Sequence, residues 1–435
     1  MSTETSLNEA DLQQAIDLLD RLLGVETRKP GTAAELPAVI RVIESLEPAG
    51  GMDFPVFPAS YAGTGDNDPP VYDLSGIVYG EVQETIKGKG RTTVPRPQII
   101  KADRCTVDSP QSQANRTEVA FIEDDRLRAL VPQASISIPR QQGRGGEESV
   151  LRLPHRIADF RIRLSDKRDD VKTAIANFAN GDALNLLQLM PTSIVFGFWD
   201  SRGEEPKHKH ARLLLSRIDA FDVVPCRRHA LYSGPYSADE FAAVVLERPA
   251  TGKAEEDKMG EQGYKSVPSE GLGGVLVKGK IERLALISLT DIARLVCRND
   301  SGEVDGPRTN AARRYVFAIS ALAEAYPRST GSHRLRSGCE LVGKSEHVVD
   351  LRGGNSTYCD AAKLKSLYDS RDVLVAVAAN AKRTVGIPDT AGPYSVTKES
   401  LKVDFGVTVA PAPAQPAPSI PVAQEPKSKP SKRSR

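Results

Sequence analysis

The stretch Val107-Asp-Ser-Pro-Gln-Ser-Gln-Ala-Asn-Arg116 constrains the fold most, because it dictates a strand-to-helix junction. Cys105–Val107 suits a strand. Ser109 can accept an orphan N–H from a first helical turn, and Pro110 fits the first helical position, where its missing donor costs nothing. In the helix so started, Gln111 and Asn115 lie four apart, as do Ser112 and Arg116, so each pair shares a face. Free N–H groups at a helix start attract phosphate. Arg116 can offer a bidentate fork, while Gln111, Gln113 and Asn115 can hydrogen-bond to sugars, bases or backbone. The same residues also make a capped helix whose amides tie down a neighbouring loop, and spacing alone favours that reading.

Charge decides where a polyanion could sit. Over 435 residues, 58 Lys and Arg face 57 Asp and Glu, so this is not a uniformly basic chain. Its positive charge is gathered locally. Segment 152–168 holds six bases (Arg152, Arg156, Arg161, Arg163, Lys167, Arg168) against two acids. Segment 202–229 holds seven, Arg212 among them, against four acids; segment 328–344 holds Arg328, Arg334, Arg336 and Lys344 against Glu340. Solvated surface charge is the plain reading of any one cluster. Three clusters beside an acidic N-terminus predict a bipolar surface. That N-terminus, with five acids and no base in residues 1–20, is the reverse of a signal or transit peptide. No run approaches the ~20 apolar residues of a membrane span. Five cysteines, odd in number and never in a CxxC pair, argue against a disulfide scaffold and for a reducing cytoplasm.

Strand and helix signals interleave along the chain. Ser6-Leu-Asn-Glu9 reads as a capping box; Leu12, Ile16, Leu19 and Leu23 follow at helical spacing, and Gly24 is a stop. Residues 48–70, dense in Pro and Gly, read as an irregular loop. Alternation over Phe160–Leu164 predicts a strand with Arg161 and Arg163 on a basic face. Val171, Ala174, Ile175 and Phe178 predict a helix, with apolar character continuing to Pro191. Ser193–Trp199 reads as a buried strand, Leu213–Val224 as another, and Val275–Leu286 as a third after a tight turn at Gly271-Leu-Gly-Gly274. Helices are expected over 309–326 and 360–382. From Ala410 a Pro/Ala-rich stretch ends in Lys427, Lys429, Lys432, Arg433 and Arg435, a composition that predicts disorder. Without long apolar parallel-type runs, the pattern predicts α+β rather than a doubly wound sheet.

Asp108-Ser-Pro-Gln-Ser-Gln-Ala-Asn-Arg116 resembles the signature of the RAMP-superfamily backbone subunit of type I-G (formerly I-U) CRISPR Cascade complexes. Shorter blocks follow in compatible order: Phe54-Pro-Val-Phe-Pro-Ala-Ser-Tyr61, His155-Arg156-Ile-Ala-Asp159, Phe196-Gly-Phe-Trp199, Arg212-Leu-Leu-Leu-Ser216 and Leu335-Arg-Ser337. The likeness spans roughly residues 45–400; the first block departs from the Pro-Pro-Thr-Tyr form of the family. The resemblance implies a modified RRM-like (ferredoxin-like) RAMP fold with large insertions. On it, residues 1–45 form an N-terminal helical segment, 46–408 a guide-RNA-binding domain with thumb-type insertions, and 409–435 the tail.

The function it implies is non-catalytic. Copies assemble head-to-tail along a CRISPR guide RNA and present it to target DNA in antiviral defence, beside a large subunit and a guide-processing subunit, with no cofactor and no membrane. The guide-binding candidates are Gln111, Ser112, Gln113, Asn115, Arg116, His155, Arg156, Arg161, Arg163, Arg212, Arg334 and Arg336, with Trp199 either a base wedge or a core residue. Sequence-neutral contacts suffice where base pairing does the reading.

Other chemistries compete. His208, His210, Cys226 and His229 supply four zinc-type ligands, but in no common finger spacing and among Lys and Arg neighbours that oppose a cation. A basic loop meeting RNA is the alternative. Gly271–Gly274 lacks the Gly-Lys-Ser/Thr of a phosphate-binding loop. The enzymatic alternative is a RAMP-type ribonuclease cutting RNA with a loop acid, for which Asp66 and Asp68 are the candidates.

Overall fold

The computed structural model describes residues 9–27, 36–63, 70–86, 92–138, 146–201, 207–232, 238–245, 267–344, 347–354 and 361–397. Ser6 of the expected capping box, the loop acids Asp66 and Asp68, and the tail lie outside them.

Helix α1 (Glu9–Leu23) buries Ala15, Leu18, Leu19, Leu22 and Leu23 along one stripe. Strand β1 (Val39–Pro48) alternates strictly, turning Ile40, Val42, Glu44 and Leu46 inward. Residue 45, the expected end of the N-terminal segment, falls inside this strand. Where it is described, the loop expected at 48–70 is mostly irregular, with Ser60–Tyr61 pairing Val71–Tyr72. Strands β2 (Leu74–Ile86) and β3 (Thr92–Asp108) form a long antiparallel arm, and β3 runs straight into α2 (Pro110–Glu118). Next come α3 (Arg168–Ala179), β4 (Leu214–Tyr232), β5 (Val267–Val277) and β6 (Ile281–Ser288). The long α4 (Gly306–Ser329) leads to β7 (His333–Arg336), β8 (Cys339–Gly343), β9 (Val348–Arg352) and α5 (Arg371–Val385).

One nine-stranded sheet organises the described residues, in the order β7-β8-β1-β6-β4-β3-β2, with β5 also on β4 and β9 on β1. Its pairings are all antiparallel. With the helices, this makes an α+β fold. The largest apolar core joins α1, α4 and α5; a smaller one gathers Val56, Tyr72, Cys105, Val107, Ile218, Val275 and Leu341. Helix α4 is buried nearly all round from Thr309 to Glu324. Each fully buried Leu, Ile or Phe contributes about 1.5–3 kcal/mol.

Five local expectations are overturned. Phe160–Leu164 is not a strand: Phe160–Arg163 is a single helical turn, because the Asp159 carboxylate caps it by accepting the Arg161 N–H. Arg161 and Arg163 therefore form no basic sheet face. Ser193–Trp199 is mostly helix (Thr192–Phe196), ended by Gly197 at φ 75° before a short strand Phe198–Asp200; six consecutive buried residues carry no period to tell the two apart. Gly271–Gly274 lies inside β5 instead of in a turn. Its glycines admit neighbouring backbone, since a Cβ on Gly274 would meet the Val56 carbonyl oxygen at 2.8 Å. The expected strand over Val275–Leu286 is broken at residues 278–280, opposite Phe221 and Asp222 (φ 53°). The helix expected over 360–382 is two, Ala361–Asp369 and α5, parted at Ser370.

Candidate nucleic-acid interface

The β3–α2 junction forms as its sequence dictates. Ser109 caps α2 by accepting the Ser112 N–H at 3.3 Å, and Pro110 occupies the first turn. The organising group is the carboxylate of Asp108, fully buried at the strand end. Its Oδ2 accepts from Gln113 Nε2 at 2.7 Å and Arg116 Nε at 3.2 Å; its Oδ1 accepts from Arg336 Nη2 at 2.7 Å. Arg336 also donates to the carbonyls of Phe57 and Val107. Three blocks remote in sequence thus close around one acid: Phe54–Tyr61, Asp108–Arg116 and Leu335–Ser337. A cavity of about 270 Å³ opens beside them, lined by Phe54, Arg334, Arg336 and Gly338.

A second cluster lies on the next turns of α2. Arg156, buried and held at φ 53°, donates to Glu118 Oε2 at 2.8 Å, Asn115 Oδ1 at 3.1 Å and the Gly197 carbonyl at 3.4 Å, and its guanidinium stacks over Phe196. Burial pushes the Glu118 carboxyl above its usual range, although Arg156 pulls the other way. Arg212, half-buried, follows Gly197 in space; burial and the like charge of Arg156 hold its guanidinium below the usual value. His155 is exposed beside this cluster. So is Trp199, with 62% of its surface free and Lys209 over its ring at 5.4 Å.

The sequence candidates divide accordingly. Gln111 and Asn115 are exposed; Ser112 and Arg116 are half-buried with outward-facing surface. Gln113 and Arg156 are buried, and their polar atoms are engaged inside the fold, so neither has surface to present to a ligand. Arg161 is tied to Asp159 at 2.8 Å and Glu148 at 3.0 Å, and Arg163 stands on the same helical turn. Arg334 is exposed at the cavity. Trp199 is a surface residue, not a core one.

Beneath the junction runs a charged chain that the candidates did not include. Arg283 is buried and donates to Gln113 Oε1, Ser216 Oγ, Glu44 Oε2 and Glu324 Oε1. Glu44 also meets His333 at 3.0 Å, and Glu324 takes Arg328 and the Tyr368 hydroxyl. Burial alone would raise both acids. Instead His333, Arg283 and Arg328 hold Glu44 below its usual range, and Arg283 and Arg328 pull Glu324 down to about 2. The signal was present: Arg283 falls in phase with Ile281, Ala285 and Ile287, and Glu44 with Ile40, Val42 and Leu46.

His208 and His210 share a short strand, and burial lowers both. The His210 ring bonds to the Ile194 carbonyl at 3.0 Å and packs edge-on against Phe178. Cys226 lies on β4, and the side chain of His229 is outside the described residues. Among the described residues no three His, Cys, Asp or Glu side chains are grouped to hold a metal, and no helix is long and apolar enough to cross a membrane.

Residues 40–225, which include β1, the β3–α2 junction and the Arg156–Arg212 cluster, match a sequence model of CRISPR-associated proteins. That model is the one described as CRISPR-associated protein GSU0053 (Cas_GSU0053). No curated protein matches the chain.

Proposed function

We propose that this chain is the repeating, non-catalytic backbone subunit of a type I CRISPR surveillance complex, of the I-G (formerly I-U) kind, on an RRM-like RAMP fold. Copies line up head-to-tail in the cytoplasm along a guide RNA and hold its bases toward target DNA, beside a large subunit and a guide-processing subunit. The observation that carries this reading is the closure of three distant blocks around Asp108 within a CRISPR-associated fold. It leaves Gln111, Asn115, Arg116, Arg334 and Arg336 around one helix start.

These groups suit sequence-neutral contact with phosphate and ribose, leaving discrimination to base pairing. His155, Trp199 and Arg212 extend the same surface, with Trp199 offering a ring face to a base. The two arms, β2–β3 and β4–β5, are the elements available to reach across the guide. A repeated heterologous contact that does not close generates the filament such a role requires. The test is co-expression with a CRISPR array, purification, nuclease treatment and sequencing of the protected RNA. Discrete repeat-flanked small RNAs are expected; a preparation free of RNA overturns the reading.

A further inference from the structure

A cavity of about 230 Å³ lies between α4, the helix Ala361–Asp369 and α5, walled by Leu127, Leu322, Tyr326, Tyr368 and Leu374. It is smaller than the ~300–1,000 Å³ of small-molecule sites and suits one or two side chains. Its polar groups are already engaged. The Tyr326 hydroxyl donates to Glu123 Oε2 at 3.3 Å and the Tyr368 hydroxyl to Glu324, so each ring offers the cavity its apolar body. Of the cations on the wall, Arg328 is matched by both Glu324 oxygens, Arg371 by Asp124, and His347 by Asp369 at 3.1 Å. Every wall cation among the described residues thus has its acid, and a phosphate gains nothing here. The slot suits an apolar segment that brings few N–H donors to satisfy.

Residues 411–421, outside the described ones, have that composition: five of the eleven are Pro, without an N–H, and Ile420-Pro421 is their most apolar pair. Aromatic-walled grooves take Pro-rich chain on this principle. We propose that Ile420-Pro421 of the same chain seats in this slot and directs the basic stretch 427–435 toward α1. Reach allows it. The 23 residues from Thr397, the last described, to Ile420 extend to roughly 75 Å, over three times the radius of gyration of about 22 Å expected for a fold this size. The point of departure is near as well. Thr390 bridges Gln133, whose side chain bonds the Arg128 carbonyl at 3.0 Å, on the short helix that supplies Leu127. Charge fits the sequel. A second cavity at the Ser370 joint, about 660 Å³, is lined by Asp11 and Asp17 of α1 together with Arg21 and Lys363. Helix α1 carries four acids against one base, and residues 424–435 carry five bases against one acid. The docking needs no RNA and stands apart from the guide-binding reading.

The experiment digests the full chain, freed of nucleic acid by nuclease and high salt, briefly with trypsin and times cleavage after Lys427 by mass spectrometry. Ile420→Asp should speed that cut about tenfold, as expected for exposing one buried Ile. Ser329→Trp, which fills the slot from an exposed position on its wall, should speed it as much. Thermal melting of each variant controls for folding. Benzoylphenylalanine placed at position 420 should cross-link within one chain to a peptide bearing Tyr326 or Tyr368. Equal rates in wild type and folded Ile420→Asp overturn the docking. Acceleration by Ile420→Asp but not by folded Ser329→Trp puts the segment elsewhere and overturns the slot. Cross-links found only between chains give the slot to a second copy and overturn the same-chain occupant. Protection that appears only after a synthetic single-stranded RNA is added puts the basic stretch on RNA; that too overturns the docking and leaves the guide-binding reading standing.

Discussion

Asp108 and Arg336, 228 positions apart in the chain, meet in a charged hydrogen bond of 2.7 Å at the start of α2. The carboxylate is wholly buried and the guanidinium partly open, so the pair joins the interior to the candidate interface. It also explains why the helix start keeps its shape: Gln113 and Arg116 are drawn to the same acid.

Asp108→Ala removes the acceptor of all three groups and leaves their donors facing a void. Breaking such a buried pair costs about 3–5 kcal/mol. Urea unfolding should show a loss of that order, and one below about 1 kcal/mol would contradict the role given to Asp108.

Arg116→Ala should weaken guide binding to a similar degree for every guide sequence, since a phosphate contact reads no base, and should make the salt dependence shallower. Titrating two unrelated guides at several salt concentrations checks this. Weakening confined to one guide would show base readout instead.

Gly197→Ala forces a Cβ to within 2.8 Å of the His210 carbonyl oxygen at a backbone angle that favours glycine. A stability loss of about 1–3 kcal/mol is expected. RNA affinity should fall with it, because Arg212 must move; a variant as stable and as tight-binding as wild type would refute the close approach.

Acid should unfold the protein through its interior. Glu324, held at about 2 against an ordinary 4.5, lends stability that is complete above pH 4.5 and is lost as pH falls from there toward 2. Glu44, also lowered, acts in the same direction. Glu118, raised, acts in the opposite one and partly offsets them. Denaturation midpoints between pH 6 and 3 should decline, and Glu324→Gln, though less stable throughout, should decline less steeply.

The assembled complex should leave complementary RNA intact in the presence of divalent metal. Cleavage that disappears in Asp66→Ala or Asp68→Ala would replace the binding role with a ribonuclease one.

Local chemistry was legible in the sequence wherever a few neighbouring residues decide the outcome. Ser109 and Pro110 announced a helix start, and the apolar stripe through Tyr315, Ile319 and Leu322 announced α4. Five alternating residues from Phe160 could not outweigh an Asp159 cap, and a glycine run reads as a turn unless the strand passing beside it is known. Of the site, the residue types were visible but their division was not. Gln111 and Gln113 look alike in sequence; two positions on a helix put one in solvent and the other between Asp108 and Arg283. Glu44 and Arg283 were legible in principle, as charges on the core-facing beat of two strands.

The brace beneath the interface has a consequence for synthesis. On the ribosome Asp108 emerges long before Arg283 and Arg336, which lie beyond residue 225, where the family match ends. At about 5–20 residues per second the nascent acid waits on the order of ten seconds or more for its cations. A fragment stopping at 225 would keep Asp108, Gln113 and Arg116 and lack the partners that fix them, so the shape of this helix start is a property of the finished polypeptide.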